Sequence, residues 1–179
     1  TDVATFVFLH AMSRIPWLLV LVFTSIATAT RITKYEDAVA SIPLLVSFIP
    51  MLMDTGGNCG AQSSTLIIRG IALSQIRFKD IFRVVFKEFR ISLIVGAVLA
   101  ATNGIRILLQ YEDPMLALVI ALSLIATIMI SKMVGCLLPL LASRVHLDPA
   151  IMASPLITTL VDICSIWIYF NIATALFNL

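Results

Sequence analysis

The sequence predicts an all-α membrane protein of five transmembrane helices, and three observations carry that reading. Of the 179 residues, 60% are hydrophobic and only 12% are charged, with a mean hydropathy of +1.07, whereas an average soluble domain is about a quarter charged. The apolar residues run in uncharged stretches long enough to cross the hydrocarbon, which takes about 20 residues per helix. Charged clusters and prolines separate those stretches. A soluble single domain is thereby excluded, and a formal net charge of +2 supplies no field that would draw nucleic acid. The lipid bilayer is the partner that the composition names, and one pore domain over residues 1–179 is the organisation that fits it.

The first span is placed at 15–33, with Pro16 near its start, where a missing N–H costs nothing, and a polar cluster from Arg31 to close it. The second, 38–73, is uncharged up to Met53, meets Asp54-Thr55-Gly56-Gly57-Asn58, and is uncharged again to Ile68. Its two adjacent glycines predict a kink or break in the middle. Residues 69–90 hold the one dense basic stretch, a connection and amphipathic approach to the third span at 84–110. After a loop at 110–113, the fourth span runs over 114–144 with Lys132 inside it. The fifth, 149–177, begins at Pro149 and carries Asp162 near its centre.

With the N-terminus in the cytoplasm, inside segments carry eight Lys and Arg and outside segments three. The positive-inside rule therefore places the N-terminus in the cytoplasm and the C-terminus outside. Cys59, Cys136 and Cys164 lie in apolar stretches with no paired spacing, as reduced, buried thiols do. The chain opens at Thr1 without a signal-peptide pattern, which reads as an excerpt or a processed form.

A charge at the middle of a membrane helix costs about 2.5 to 3.5 kcal/mol on insertion scales, so Asp54 and Asp162 must face each other, a cavity or a partner. In the fifth span Ser154, Thr158, Asp162, Ser165 and Tyr169 fall at helical spacing on one face; in the second, Asp54, Asn58, Gln62, Thr65 and Arg69 do the same. Such stripes also arise when Ser and Thr bond their own helix's carbonyls and Asn and Gln hold helices together. Lys132 reads either as a structural counter-ion or as the partner of an Asp. As ligands the stripes offer carboxylate, amide, hydroxyl and carbonyl oxygens, which suit Mg²⁺, Ca²⁺ or Mn²⁺. His10 and His146 sit near span ends and Cys164 on the opposite face from Asp162, so a copper or zinc path is not expected. With so few charges the ion is expected to keep its waters, and Gly56 and Gly57 would let a water shell or a second helix reach the backbone.

The string PMLMDTGGNCGAQSSTLIIRGIALSQI, residues 50–76, resembles the signature of the second membrane helix of the MgtE family of magnesium channels. LDPAIMASPLITTLVDICSIWIYF, residues 147–170, resembles the family's fifth helix with its Asp-Pro-Ala start and Thr-Leu-x-Asp centre. The resemblance implies a homodimeric bundle in a prokaryotic plasma (inner) membrane, its pore on the two-fold axis between the second and fifth helices of both copies. It implies that Mg²⁺ is the transported ion and Asp162 the central pore carboxylate, with Thr158 and Ser154 on the same face and Gly57 and Asn58 beside the path. Asp54, Gly56, Gln62, Thr65 and Ser165 complete the candidates for lining or selectivity. Family members carry cytosolic regulatory domains, which these residues do not include. Ser154 stands where the family often has Asn, and Asp54 where a neutral residue is usual.

No catalysis is expected of such a channel. A transporter coupled to H⁺ or Na⁺ is the alternative, suggested by the broken look of the second span and by Lys132. Asp54-Thr55-Gly56 is also the tripeptide of aspartic proteases, but it lies in a membrane span and the Gly-x-Gly-Asp motif of intramembrane aspartyl proteases is absent. A purely structural membrane subunit is the fourth reading.

Overall fold

The computed structural model describes residues 7–152 and 154–179, with the side chains of 151, 152 and 154 outside the description. Seven helices follow in order: α1 (Val7–Thr33), α2 (Glu36–Ser41), α3 (Leu44–Ser47), α4 (Ile49–Ala72), α5 (Ile81–Tyr111), α6 (Pro114–Arg144) and α7 (Ser154–Phe177). Single 3₁₀ turns, Phe78–Asp80 and Pro149–Met152, precede α5 and α7, and the described residues contain no strand. Four helices, α1, α5, α6 and α7, are long and apolar enough to cross a membrane. The 24 residues of α4 would extend about 36 Å, but Asp54, Asn58, Gln62 and its glycines and hydroxyls make it the polar helix of the bundle.

The stretches 84–110 and 114–144 lie in α5 and α6. Glu112 adopts a left-handed conformation (φ 53°) that ends α5, and Asp113 then accepts from the N–H groups of Met115 and Leu116 at 2.9 and 3.1 Å, capping α6. Pro114 occupies the first turn of α6, where it has no bond to lose.

Three expectations are corrected. The chain is broken at Ile42–Pro43 and at Phe48, and α4 runs uninterrupted through Gly56 and Gly57. Pro43 and Pro50 have no N–H for the carbonyls of Val39 and Val46 and so cannot continue a helix; a glycine pair only permits a bend, and here α6 and α7 pack onto it. Pro16 lies inside α1, because the helix begins at Val7 rather than near residue 15. The fifth span's helix begins at Ser154, since residues 149–152 form the 3₁₀ turn, with Asp148 accepting from the Ala150 N–H at 2.9 Å.

At the centre stands α6, packed against α5, α4 and α7, while α1 leans on α7 from outside. The α5–α6 seam is built from small residues four apart. A methyl group at Gly96 would stand 3.5 Å from the Ile125 Cα, and one at Gly104 would stand 3.8 Å from the Ala121 Cβ, so the two backbones approach closely. Toward α4, the α6 residues Ser123, Thr127, Ser131 and Gly135 repeat at the same interval and are buried. A methyl group at Gly56 would press on Thr127, Val161 and Ser131, one at Gly60 on Ile157, and one at Gly135 on the Gly60 carbonyl itself. These pairings make α4 parallel to α6 and antiparallel to α7.

Apolar clusters close the bundle at both ends. One gathers Leu45, Leu52, Ile107, Ile120, Ile166 and Phe170, the other Ile67, Cys136 and Leu140. Between them the layer of glycines and hydroxyls is where charged groups are found.

Candidate functional site

Two stretches of α4 and α7 form one open polar face. On α4, the residues Asp54, Asn58, Gln62, Thr65 and Arg69 are all exposed, and they are the residues that helical spacing puts on one stripe. Residues between them, Leu52, Gly56, Gly57, Cys59, Gly60 and Ser63, are buried against α6 and α7. Alternation at 3.6 residues per turn therefore divides α4 into a small-residue face that packs and a polar face that does not.

On α7, Thr158 and Asp162 are half-exposed. The absence of a side chain at Gly57 brings them to α4: a methyl group there would come within 3.1 Å of the Thr158 Cγ2. One turn along, Asp54 and Asp162 lie near enough for their charges to act on each other. The Thr158 hydroxyl donates to the Pro155 carbonyl at 3.0 Å and that of Thr65 to the Ala61 carbonyl at 2.9 Å. Each hydroxyl thus commits its hydrogen to its own helix and leaves lone pairs free. Asp54, Asn58 and Asp162 form no hydrogen bond or ion pair among the described residues.

Not every predicted position joins this face. Gly56 is buried against Thr127, Ser131 and Val161, so its backbone serves helix packing rather than the open stripe. Ser165 is also turned inward, 1% exposed, with a hydroxyl that has no partner. Tyr169, at the end of the same predicted stripe, is fully buried and donates to the Leu45 carbonyl at 2.7 Å. The same carbonyl also accepts from the Phe48 N–H at 3.4 Å, at the end of the short α3. The side chain of Ser154 lies outside the described residues.

Lys132 does not pair with either Asp. It is 3% exposed and faces Glu88 of α5, itself 6% exposed, at 3.7 Å. Ser63 of α4 donates to the Glu88 carboxylate at 2.8 Å, and the Lys132 ammonium reaches the Ser63 hydroxyl at 3.3 Å and the Gln62 amide oxygen at 3.4 Å. Reading residues 69–90 as a basic connection missed Glu88. Its signal was present: Glu88 heads the series Ser92, Gly96, Ala100 and Gly104 at steps of four, the packed face of α5. Next to this cluster a cavity of about 680 Å³, lined by Arg69, Arg83, Lys87 and Glu88 among others, opens at the end of the bundle that the α4–α5 connection occupies.

Among the described residues no three His, Cys, Asp or Glu converge. The face thus presents two carboxylates, an amide and hydroxyl lone pairs, hard oxygens of the kind that suits a hydrated divalent ion.

Residues 49–172, which hold the polar face, the ion pair and the packing layer, match the family MgtE, described as divalent cation transporter. The chain belongs to that family. It is 39% identical over 168 residues to the magnesium transporter MgtE of Bacillus subtilis, a stretch covering 94% of this chain and 37% of that protein. Proteins of the same name from Enterococcus faecalis and Thermus thermophilus are each 34% identical, over 92% of this chain and 36% of theirs. The chain thus spans little more than a third of the length of these MgtE relatives. Mg²⁺ transport is the function associated with the family members it resembles, and their match covers α4 and α7 together.

Proposed function

We propose that the chain is the pore domain of a Mg²⁺ channel, in which two copies meet at a two-fold axis with α4 and α7 of each lining the path. The observation that carries this reading is the open polar face. Asp54, Asn58, Gln62 and Thr65 stand exposed on a helix packed among membrane-spanning helices. In lipid such groups would each be costly, and burial against a second copy around a wet path removes that cost. On this reading α4 is the second of five spans and need not be apolar, because its polar face never meets lipid.

Across the axis, two Asp162 carboxylates attract a divalent ion that keeps its waters, since Mg²⁺ dehydrates reluctantly. The outward hydrogens of those waters find acceptors in Asp54, Asn58 and the Thr158 and Thr65 lone pairs. Gly57 keeps α4 and α7 close enough for these acceptors to share one shell. The membrane potential drives entry at about 2.3 kcal/mol per charge per 100 mV, twice that for a divalent ion. The N-terminus is cytoplasmic and the C-terminus outside in a prokaryotic inner membrane, and the additional length of the relatives provides room for cytosolic regulatory domains.

Coupling to H⁺ or Na⁺ is the alternative that a break in the second span and Lys132 suggest; the break lies at Pro43 and Phe48, before the polar face of α4, and Lys132 faces Glu88 rather than either Asp. The relatives' name as transporters fits a protein without catalysis. The test is Mg²⁺ influx into liposomes holding the chain at fixed voltage, without H⁺ or Na⁺ gradients. Wild-type influx that Asp162→Asn removes is expected; influx that requires a gradient, or that survives Asp162→Asn, would contradict the proposal.

A further inference from the structure

Gln62 belongs both to the open stripe of α4 and to the buried cluster behind it. The Lys132 ammonium can only donate, so the Gln62 atom that it meets at 3.4 Å is the amide oxygen. The planar amide then carries its nitrogen on the branch that does not meet Lys132, and Gln62 is an exposed residue of the stripe. Asp54, Asp162 and the hydroxyls of Thr158 and Thr65 all offer acceptors along the face. Gln62, held in this way, offers a donor. Waters bound to Mg²⁺ turn their oxygens to the ion and their hydrogens outward, so a hydrated ion is received by acceptors and refused by N–H groups.

From this we infer that Lys132, held in place by Glu88, fixes the Gln62 amide with its nitrogen toward the cation path, and that this pair narrows passage at the level of Gln62 until Lys132 releases it. The inference rests on the reading of the open face as an ion path. Glu88 supplies the charge that keeps the ammonium inside the bundle, and Ser63 joins the two by donating to Glu88 at 2.8 Å while accepting from Lys132 at 3.3 Å. All three contacts of the ammonium, at 3.3, 3.4 and 3.7 Å, are longer than the roughly 2.7–2.9 Å of a tight charge-assisted bond. A small move toward Glu88 shortens the ion pair, frees the Gln62 oxygen and lets the amide turn an acceptor to the path. Glu88 and Lys132 are positioning residues in this scheme, acting through Gln62.

The test compares voltage-driven Mg²⁺ influx in liposomes for wild type, E88Q/K132M, Q62A and the triple variant, the pair being replaced together so that no buried charge is left alone. Influx in E88Q/K132M is expected to rise about fivefold, the lower end of ordinary coupling between sites. Q62A should rise comparably, and the triple variant should exceed Q62A by nothing measurable. A pair variant equal to wild type while Asp162→Asn still abolishes influx would overturn the inference and leave the channel reading intact; so would a rise that persists on the Q62A background. If influx proves independent of Asp162, the channel reading fails and the inference falls with it; the fixed amide itself is read separately from the side-chain amide resonances of glutamine in ¹⁵N-labelled protein in lipid nanodiscs. The Gln62 pair is expected to shift in E88Q/K132M, and an unmoved pair would overturn the inference.

Discussion

Lys132 and Glu88 form a closed pair of opposite sign inside one protomer, whereas Asp54 and Asp162 form an open pair of like sign on its surface. Both pairs sit in the same polar layer between two apolar clusters. The first is completed within the chain by Ser63 and Gln62. The second has no hydrogen bond or ion pair among the described residues. A charge in a membrane bundle must be compensated, so the closed pair is complete within the chain, and the open pair asks for something outside it. On the proposed reading, a cation between two copies would meet that demand, supplying the opposite sign while the second copy removes the lipid.

Substitutions that exchange the properties of the two pairs would sharpen or break this contrast. The largest effect is expected at Asp162: Asp162→Asn should lower Mg²⁺ influx roughly 100-fold, about 2.7 kcal/mol of lost attraction, while size-exclusion chromatography shows the oligomer unchanged. Asp54→Asn should lower it only severalfold. Equal losses would mean that the two carboxylates act as one site.

Next in size is Lys132→Met, which leaves the Glu88 carboxylate buried without an opposite charge and should destabilise the fold by about 3–5 kcal/mol. Adding Glu88→Gln should restore most of that stability, measured as resistance to denaturant in mixed micelles. A single variant as stable as wild type would show that the pair is not the closed, buried unit described. Gly135→Val comes third, since any Cβ there presses on the Gly60 carbonyl; a loss of about 3 kcal/mol is expected from overpacking, read by the same assay. Smallest is Ser165→Ala, which removes a buried hydroxyl without a partner. Its stability should change by less than about 1 kcal/mol or rise slightly, with influx close to wild type; a large loss of influx would return Ser165 to the path.

Much of this contrast was legible in the residues. Spacing alone placed Asp54, Asn58, Gln62 and Thr65 on one stripe, and Thr158 with Asp162 on another, because a helix of 3.6 residues per turn fixes which side chains share a face. The α5–α6 loop was equally readable, since Asp113-Pro114 is a cap and a first-turn proline in sequence. What the sequence obscured depended on neighbours. Gly56 and Gly57 suggested a break, but whether glycines bend a helix or admit another is decided by what packs there. Pro43 and Pro50, not the glycines, carried the interruption. Ser165 and Tyr169 keep the angular position of Asp162 on α7, yet both are buried, because burial depends on what covers the helix: at Tyr169 the α3 segment does, through the Leu45 carbonyl. Glu88 was hidden among six basic residues, and only the four-residue series of small side chains behind it showed that it faces inward.

The claim that the open face is completed by a second copy around a cation is tested most directly by disulfide crosslinking in native-like membranes, with Asn58→Cys as the reporter and Phe82→Cys, 86% exposed at the start of α5 and away from the open face, as the control, in a background without Cys59, Cys136 and Cys164. Crosslinked dimers through position 58, with a yield that changes when Mg²⁺ is added and a position 82 that stays monomeric, are the predicted result. Crosslinking at position 82 with none at position 58 would place the interface elsewhere and contradict the account.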